Sequence, residues 1–376
     1  MCTPPDNDLG YPYRADFVEN TVAEKTYQLF SWAVFKVSCP DPQEYSEWTD
    51  RGRTRVSHDE FASYLRWAFE RAGNAPKIAN VSKLIPQADG WRLEAHTATT
   101  SANFGPYDGV VVSGPGGARP NPLTHAEGFY NGVNFWQSTK RIEGTLHRNP
   151  TGTIVVYGGG GTAAAILGWF ARSGFEGYQI QSLTSQAMLY TRGNNFFERR
   201  LFTDADAWNR LSPSSRRAFV NRLNRGVVWD TMADQISRLE RLSLAEGRVT
   251  RVERQRIGPA GSRERGLEVY FDAEKGPASI SANLVIDATG FDEWWFRSLL
   301  PDDWRDKLEP TNKVERDRLR DGIQQDLSFG PGWTLPRLHV PMLADLVGPG
   351  TTNLLSLGDL ADRILASYML APGGHA

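Results

Sequence analysis

Residues Gly152-Thr153-Ile154-Val155-Val156-Tyr157 run straight into Gly158-Gly159-Gly160-Gly161-Thr162-Ala163, and an apolar stretch follows to about Arg172. No other segment restricts the fold as much. The first six residues form a short apolar run of the kind found in strands buried on both faces. The glycines permit a tight reversal, and the stretch beyond them is long enough for a helix. A second strand, Gly177 to Leu183, closes a βαβ unit of the usual size. The spacing predicts an α/β fold with a Rossmann-like unit.

Within that unit, Gly158-x-Gly160-x-x-Ala163 has the spacing of a dinucleotide-binding turn, in the strand-to-helix context that such a turn needs. Gly158 permits the turn and Gly160 lets a pyrophosphate approach backbone. Ala163 is small enough for close helix–strand packing. Gly161 and Thr162 open the helix, whose first N–H groups and positive dipole end favour phosphate. The competing reading is a glycine turn with no ligand. Sites for NAD usually carry an acid about 20 residues on, at the end of the second strand. Here that strand ends Ser182-Leu183-Thr184-Ser185-Gln186, without an acid. Hydroxyls at Thr184 and Ser185, with Arg192 beyond, suit a 2′-phosphate, so NADPH is preferred. Arg192 also reads as an ordinary surface arginine.

A chain of 376 residues has room for two domains. Its 42 Lys+Arg against 44 Asp+Glu give no general attraction to nucleic acid or an anionic membrane. The Arg-rich stretch between Arg192 and Arg225 lacks the interleaved stacking aromatics of a nucleic-acid surface. Two cysteines and six scattered histidines offer neither a disulfide framework nor a metal site. Ala163 to Ala171, the longest apolar run, is far short of the roughly 20 residues of a membrane span. The first thirty residues carry five acids and no apolar core, unlike a signal peptide. A cytoplasmic location is expected.

Other segments fill in the outline. Residues 1–50 read as loops and short helices. Phe61, Tyr64, Leu65 and Ala68 share one face of a helix, with Ser57 as N-cap and Glu60 completing a capping box. Lys77 to Leu84 and Trp91 to Ala98 alternate like strands of a meander. Two apolar runs end in small residues, one at Ser113-Gly114 and one at Asp287-Ala288-Thr289-Gly290. Such exits let backbone approach a dinucleotide or cross between domains. Strands are expected at Arg248 to Arg254, Leu267 to Asp272 and Thr352 to Leu357, with a last helix to about Leu370.

Taken in order, these segments resemble the flavin-dependent amino-acid N-hydroxylases, above all the L-lysine N(6)-monooxygenases of mycobactin-type siderophore assembly. The resemblance is carried by Asp8-Leu9-Gly10-Tyr11-Pro12-Tyr13, Glu47-Trp48-Thr49-Asp50-Arg51-Gly52-Arg53, Ser113-Gly114-Pro115-Gly116 and Gly158 to Ala164. Thr191-Arg192-Gly193, Asp287-Ala288-Thr289-Gly290, Asn353-Leu354 and Leu360-Ala361-Asp362-Arg363 continue it. It implies a two-dinucleotide-binding flavoprotein, with an NADP domain (146–283) inserted between two parts of an FAD and substrate domain (1–145 and 284–376). It also implies NADPH and FAD as cofactors, and dioxygen and a small-molecule amine as partners. The reaction implied is hydroxylation of that amine through a hydroperoxyflavin. Flavin contacts would come from Ser113, Gly114, Thr289, Gly290, Asn353 and Leu355, and homo-oligomerisation follows by resemblance alone. An NADP-binding pseudoenzyme and a different NADPH/FAD monooxygenase are the rival readings.

The chain also departs from the family. The family begins with a strand and glycine loop for the FAD pyrophosphate, whereas residues 1–50 contain only Gly10 and no preceding apolar strand. Met1 falls where the family is already inside its flavin domain, so either the sequence starts short of the natural N-terminus, which is the expectation preferred, or the protein lacks a normal FAD site. Members tend to carry a lysine for the substrate carboxylate where this chain has Asn7. Where the lid usually supplies an asparagine, this chain has Arg199. Arg199 either takes over the carboxylate, through its two-pronged guanidinium, or joins the solvated arginines. Asn7, Arg199 and Ser356 are the candidate substrate residues.

Overall fold

The computed structural model describes residues 29–369 except 42, 53–55, 74–75, 120, 122–125, 192–194, 225–226, 257–264, 309–311, 331–335, 349 and 351–356. Asn7, Arg192, Asn353, Leu355 and Ser356 lie outside the described residues, as does nearly all of the strand expected over Thr352 to Leu357. The chain divides into two compact units. One comprises Met1–Gly114, Asn195–Ser212 and Phe296–Ala376, and the other Pro115–Asn194 and Pro213–Trp295.

The second unit is built on five parallel strands, β1 (Phe129–Asn131), β2 (Gly152–Tyr157), β3 (Tyr178–Thr184), β4 (Leu242–Glu246) and β5 (Leu284–Asp287). Their order is β4-β3-β2-β5-β1, so the sheet grows one way from β2 through β3 to β4 and then returns to β2's other side. The βαβ unit read from the glycines is β2, helix α2 (Gly161–Ser173) and β3, preceded by α1 (Thr139–Arg148). Alternation along β2 shows why both faces are apolar. Ile154 and Val156 pack with Ile142, Ile166, Leu167 and Phe170 of the helices. Val155 and Tyr157 point the other way, into Leu267, Val269 and Ala282 of an antiparallel sheet. Each such burial stabilises by about 1.5–3 kcal/mol. That second sheet is Arg248–Arg256, Arg265–Ala273 and Gly276–Ala282. The first two strands match expectation; the third and β4 are additions. Gly174 ends α2 in the left-handed conformation at φ 69°.

The first unit holds an aromatic cluster in which Trp32, Phe35, Phe61 and Tyr64 are buried and Trp48 and Trp67 pack against them. The helix His58–Arg71 supplies the expected face, and the Ser57 side chain accepts the Glu60 N–H at 3.1 Å. The carboxylate of Glu60 pairs with the buried Lys36 ammonium at 2.5 Å, which also meets Glu44 at 2.7 Å. A buried cation needs partners, and this need competes with the capping-box role expected of Glu60. The meander strands lie at Asn80–Gln87 and Gly90–His96, and a third, Ser101–Tyr107, joins them. Apart from these, strand Gly109–Val111 pairs in parallel with Arg337–His339.

His339 is fully buried at the end of that pair. Its Nδ1 lies 2.7 Å from the Asp326 carbonyl oxygen, which can only accept, so Nδ1 carries the proton. Nε2 then accepts the Tyr368 hydroxyl at 2.5 Å. Burial pushes the imidazole below its ordinary value of 6.5, against the pull of Asp326. The unfolded chain therefore takes up a proton near pH 6.5 while the folded chain resists it. The stabilisation is complete above that pH and drains away as pH falls toward the folded value. Denaturant unfolding between about pH 7.5 and 5.5 is expected to show this loss, at most about 1.4 kcal/mol per pH unit, and His339→Gln is expected to remove it. An unchanged slope in the variant would contradict the assignment.

Candidate dinucleotide site

Three strands of the parallel sheet end side by side, and their exits form the walls of a crevice. In open α/β sheets ligands bind outside the carboxyl ends of the strands, where the strand order reverses. Here the reversal falls at β2 and β5, with β1 beyond. The β2 exit is Gly158, whose N–H donates to the Leu183 carbonyl at 2.9 Å. Its φ is +124°, and a Cβ there would stand 2.4 Å from the Ala288 carbonyl oxygen and 3.0 Å from the Thr289 nitrogen. Only glycine lets the β2 and β5 exits meet backbone to backbone. A Cβ at Gly159 would touch the Thr184 side chain at 3.6 Å, whereas one at Gly161 would meet nothing within 4 Å. Gly160 caps α2 without a side-chain acceptor, which leaves the first-turn amides to a ligand. Ala163 is fully buried against the sheet, as close packing requires.

The β1 exit is shaped by a pair of asparagines. Asn131 Oδ1 accepts the Val133 and Asn134 amides at 2.9 and 3.0 Å, and Asn134 Oδ1 accepts the Asn131 amide at 2.6 Å. This turn places Gly132 against Thr162, whose Cγ2 would lie 2.8 Å from a Cβ on Gly132. At the β5 exit, Asp287 Oδ1 accepts the Thr289 N–H at 3.0 Å and its hydroxyl at 2.7 Å. Gly290 follows at φ +106° with open space around it. Tyr157 is buried beside Asp287, its register partner, while Asn121 donates to the phenol oxygen at 3.4 Å. Burial first, then the Asp287 charge, push the phenol far above its ordinary pKa.

The structure thus brings Gly158, Gly160, Gly161, Thr162, Ala163, Thr184, Thr289 and Gly290 to one end of one sheet. Thr184 is buried, and its hydroxyl accepts the Gln186 and Met188 amides at 3.4 and 3.3 Å. It shapes the turn that leaves Ser185 exposed. Both the N–H and the hydroxyl hydrogen of Thr289 are committed to Asp287, so toward a ligand Thr289 offers acceptor oxygens rather than donors. Ser113 and Gly114 belong to the other unit, where Gly114 has φ +87° and nothing within 4 Å of a Cβ. Arg199 lies on the helix Phe196–Thr203 of that unit. Sequence reasoning missed Asn121, Asn131, Gly132, Asn134, Tyr157 and Asp287 as parts of the crevice. The one available signal was Asp287 standing at the end of an apolar run, where a strand exit needs a turn-former. Among the described residues no group of His, Cys, Asp and Glu is placed to hold a metal ion, and no helix is long and apolar enough to cross a membrane.

A parallel sheet with a glycine cradle at its switch point defines an α/β protein of the dinucleotide-binding class. The family model for L-lysine 6-monooxygenase/L-ornithine 5-monooxygenase matches residues 37–293. The chain is 31% identical over 375 residues to the L-lysine N6-monooxygenase MbtG of Mycolicibacterium paratuberculosis, an alignment covering 98% of this chain and 82% of that protein. Lysine monooxygenase NbtG from Nocardia farcinica, whose NADPH domain adopts an unusual conformation, superposes with a TM-score of 0.74 at 28% identity, over 97% of this chain and 85% of that one. The ornithine N-hydroxylase of Kutzneria sp. 744 shares the fold at a TM-score of 0.68 and 16% identity, over 98% and 86%. The chain belongs to the L-lysine 6-monooxygenase/L-ornithine 5-monooxygenase family.

Proposed function

We propose that the chain is an NADPH- and FAD-dependent monooxygenase that hydroxylates the side-chain amine of L-lysine, or a close relative of it, for siderophore assembly. The observation that carries this reading is the glycine cradle at the switch point of a chain 31% identical to an L-lysine N6-monooxygenase across nearly its whole length. The unit of Pro115–Asn194 and Pro213–Trp295 takes NADPH, and the other unit carries the flavin and substrate sides. Relative to the expected insert of 146–283, this reading adds 115–145 and 284–295 and gives 195–212 to the other unit, in a two-dinucleotide-binding flavoprotein.

The pyrophosphate would lie on Gly158 to Ala163, where the first amides of α2 have no side-chain acceptor. Ser185 and Arg192 would receive the 2′-phosphate at the end of β3, a place without the acid that a free 2′-OH calls for. Gly114 offers open backbone to the flavin side, with Asn353 and Leu355 from the closing segment. Bound flavin reduced by NADPH supplies the dioxygen activation; the protein binds, orients and excludes water. The amine must arrive neutral, so what the protein holds firmly is the other end of the substrate. Arg199, with Asn7 and Ser356, takes that role toward the carboxylate.

The test is to supply the purified protein with FAD and NADPH, add L-lysine or L-ornithine, and measure hydroxylamine. Hydroxylamine that depends on lysine, with NADPH preferred to NADH, is expected. Arg199→Ala is expected to raise the KM for lysine about tenfold or more, the weight of a charge-assisted pair, at unchanged NADPH affinity. A variant with wild-type KM would return Arg199 to the solvated arginines. NADPH consumption that yields no hydroxylamine with either amino acid would overturn the reading.

A further inference from the structure

We infer that Asp287, beside Tyr157 at the ends of the two central strands, is a positioning residue for NADPH: it sets the far wall of the crevice and so controls cofactor affinity without touching the cofactor's phosphates. This inference rests on the NADPH reading above. Three observations carry it. The carboxylate of Asp287 draws in both the N–H and the hydroxyl of Thr289, two residues on, which folds the β5 exit into a tight local turn. That turn lies against the glycine cradle, because Gly158 meets the Ala288 carbonyl and the Thr289 nitrogen at distances no side chain allows. Tyr157, the last residue of β2, stands opposite Asp287 in the ladder, so the two side chains leave the sheet side by side.

The pair therefore stands on the two strands that flank the reversal, immediately below the residues that would face the dinucleotide. Further bonds hold this exit. Asn121 donates to the Tyr157 oxygen, the Asp292 N–H donates to the Gly117 carbonyl at 2.9 Å, and Ala118 bridges Phe291. Segments 117–121 and 287–292 are thus bound to each other as well as to the sheet. A dinucleotide lying across the crevice needs both walls at a fixed spacing. Backbone contact at Gly158 limits how close they come; the Asp287 turn limits how Thr289 and Gly290 are aimed.

The experiment measures NADPH affinity by equilibrium titration, without amine substrate, together with the thermal midpoint, for wild type, Asp287→Ala, Asp287→Asn and Tyr157→Phe. Asp287→Ala is expected to weaken NADPH about tenfold or more, as loss of a charge-assisted hydrogen-bond centre does. Asp287→Asn keeps the oxygen that accepts from Thr289 and is expected to stay within about threefold of wild type. Tyr157→Phe keeps the fold and is expected to weaken NADPH about threefold, the weight of one hydrogen bond, which keeps the proposal testable if Asp287→Ala fails to fold. Lower midpoints with unchanged NADPH affinity in Asp287→Ala, or in Tyr157→Phe where the alanine variant is unfolded, would reduce the pair to a structural role and overturn the inference. A wild-type protein that does not take NADPH would instead overturn the reading beneath it.

Discussion

Gly158→Ala is expected to cost the protein about a hundredfold or more in NADPH affinity, because misplacing the cradle by even an ångström has effects of that order. The added Cβ would sit 2.4 Å from the Ala288 carbonyl oxygen and 2.6 Å from its carbon, and these are backbone atoms with no rotamer to escape into. A φ of +124° adds strain of about 1–3 kcal/mol for a residue with a side chain. Either the β2 and β5 exits separate or Gly158 abandons its turn, and in both cases the amides at the start of α2 are re-aimed. Gly144→Ala, on α1, is the control, since only the flexible end of Arg148, at 4.0 Å, comes near a Cβ there. Titration of both variants with NADPH, beside their thermal midpoints, separates the outcomes. An alanine at Gly158 with affinity near wild type would mean that the exits are not held in contact.

Trp91→Ala is expected to destabilise the first unit by about 3–5 kcal/mol, the usual cost of emptying a large aromatic site. Trp91 is fully buried and packs edge-on against Trp304, with ring centroids 5.3 Å apart. Its indole N–H also donates to the Arg337 carbonyl at 2.9 Å, which joins the three-stranded meander to the strand that carries His339. Truncation would remove the packing and leave a buried carbonyl short of a donor. Trp91→Phe restores much of the volume without the N–H, and is expected to cost about 1–3 kcal/mol. Denaturant unfolding of the two variants checks both magnitudes. Equal losses for Ala and Phe would show that the hydrogen bond dominates the packing.

What could be read from the amino acids alone was whatever depends on near neighbours. The glycine run declares its own turn, the apolar period after it declares α2, and Ser57, which caps the Glu60 N–H, declares the helix that begins at the next residue. Strand Ser101–Tyr107 escaped because it contains Gly105 and Pro106 and is largely exposed, so it lacks the apolar alternation that marks a half-buried strand. The role of Glu60 was misjudged because its partner, Lys36, comes from another helix. The same limit applies at the crevice. Asp287 and Tyr157 are ordinary residues at two strand ends until register places them opposite each other. A sequence shows which backbone positions must be bare; only the fold shows which side chains hold those bare positions in place.

The proposed reaction transfers one oxygen atom from dioxygen to an amine at the expense of NADPH. The most direct measurement is mass spectrometry of the product formed from L-lysine, NADPH and FAD under isotopically heavy dioxygen. An N-hydroxylated lysine carrying one heavy oxygen, formed only when NADPH is present, is the expected product. NADPH oxidation that leaves lysine unaltered, or a product whose oxygen comes from water, would contradict it.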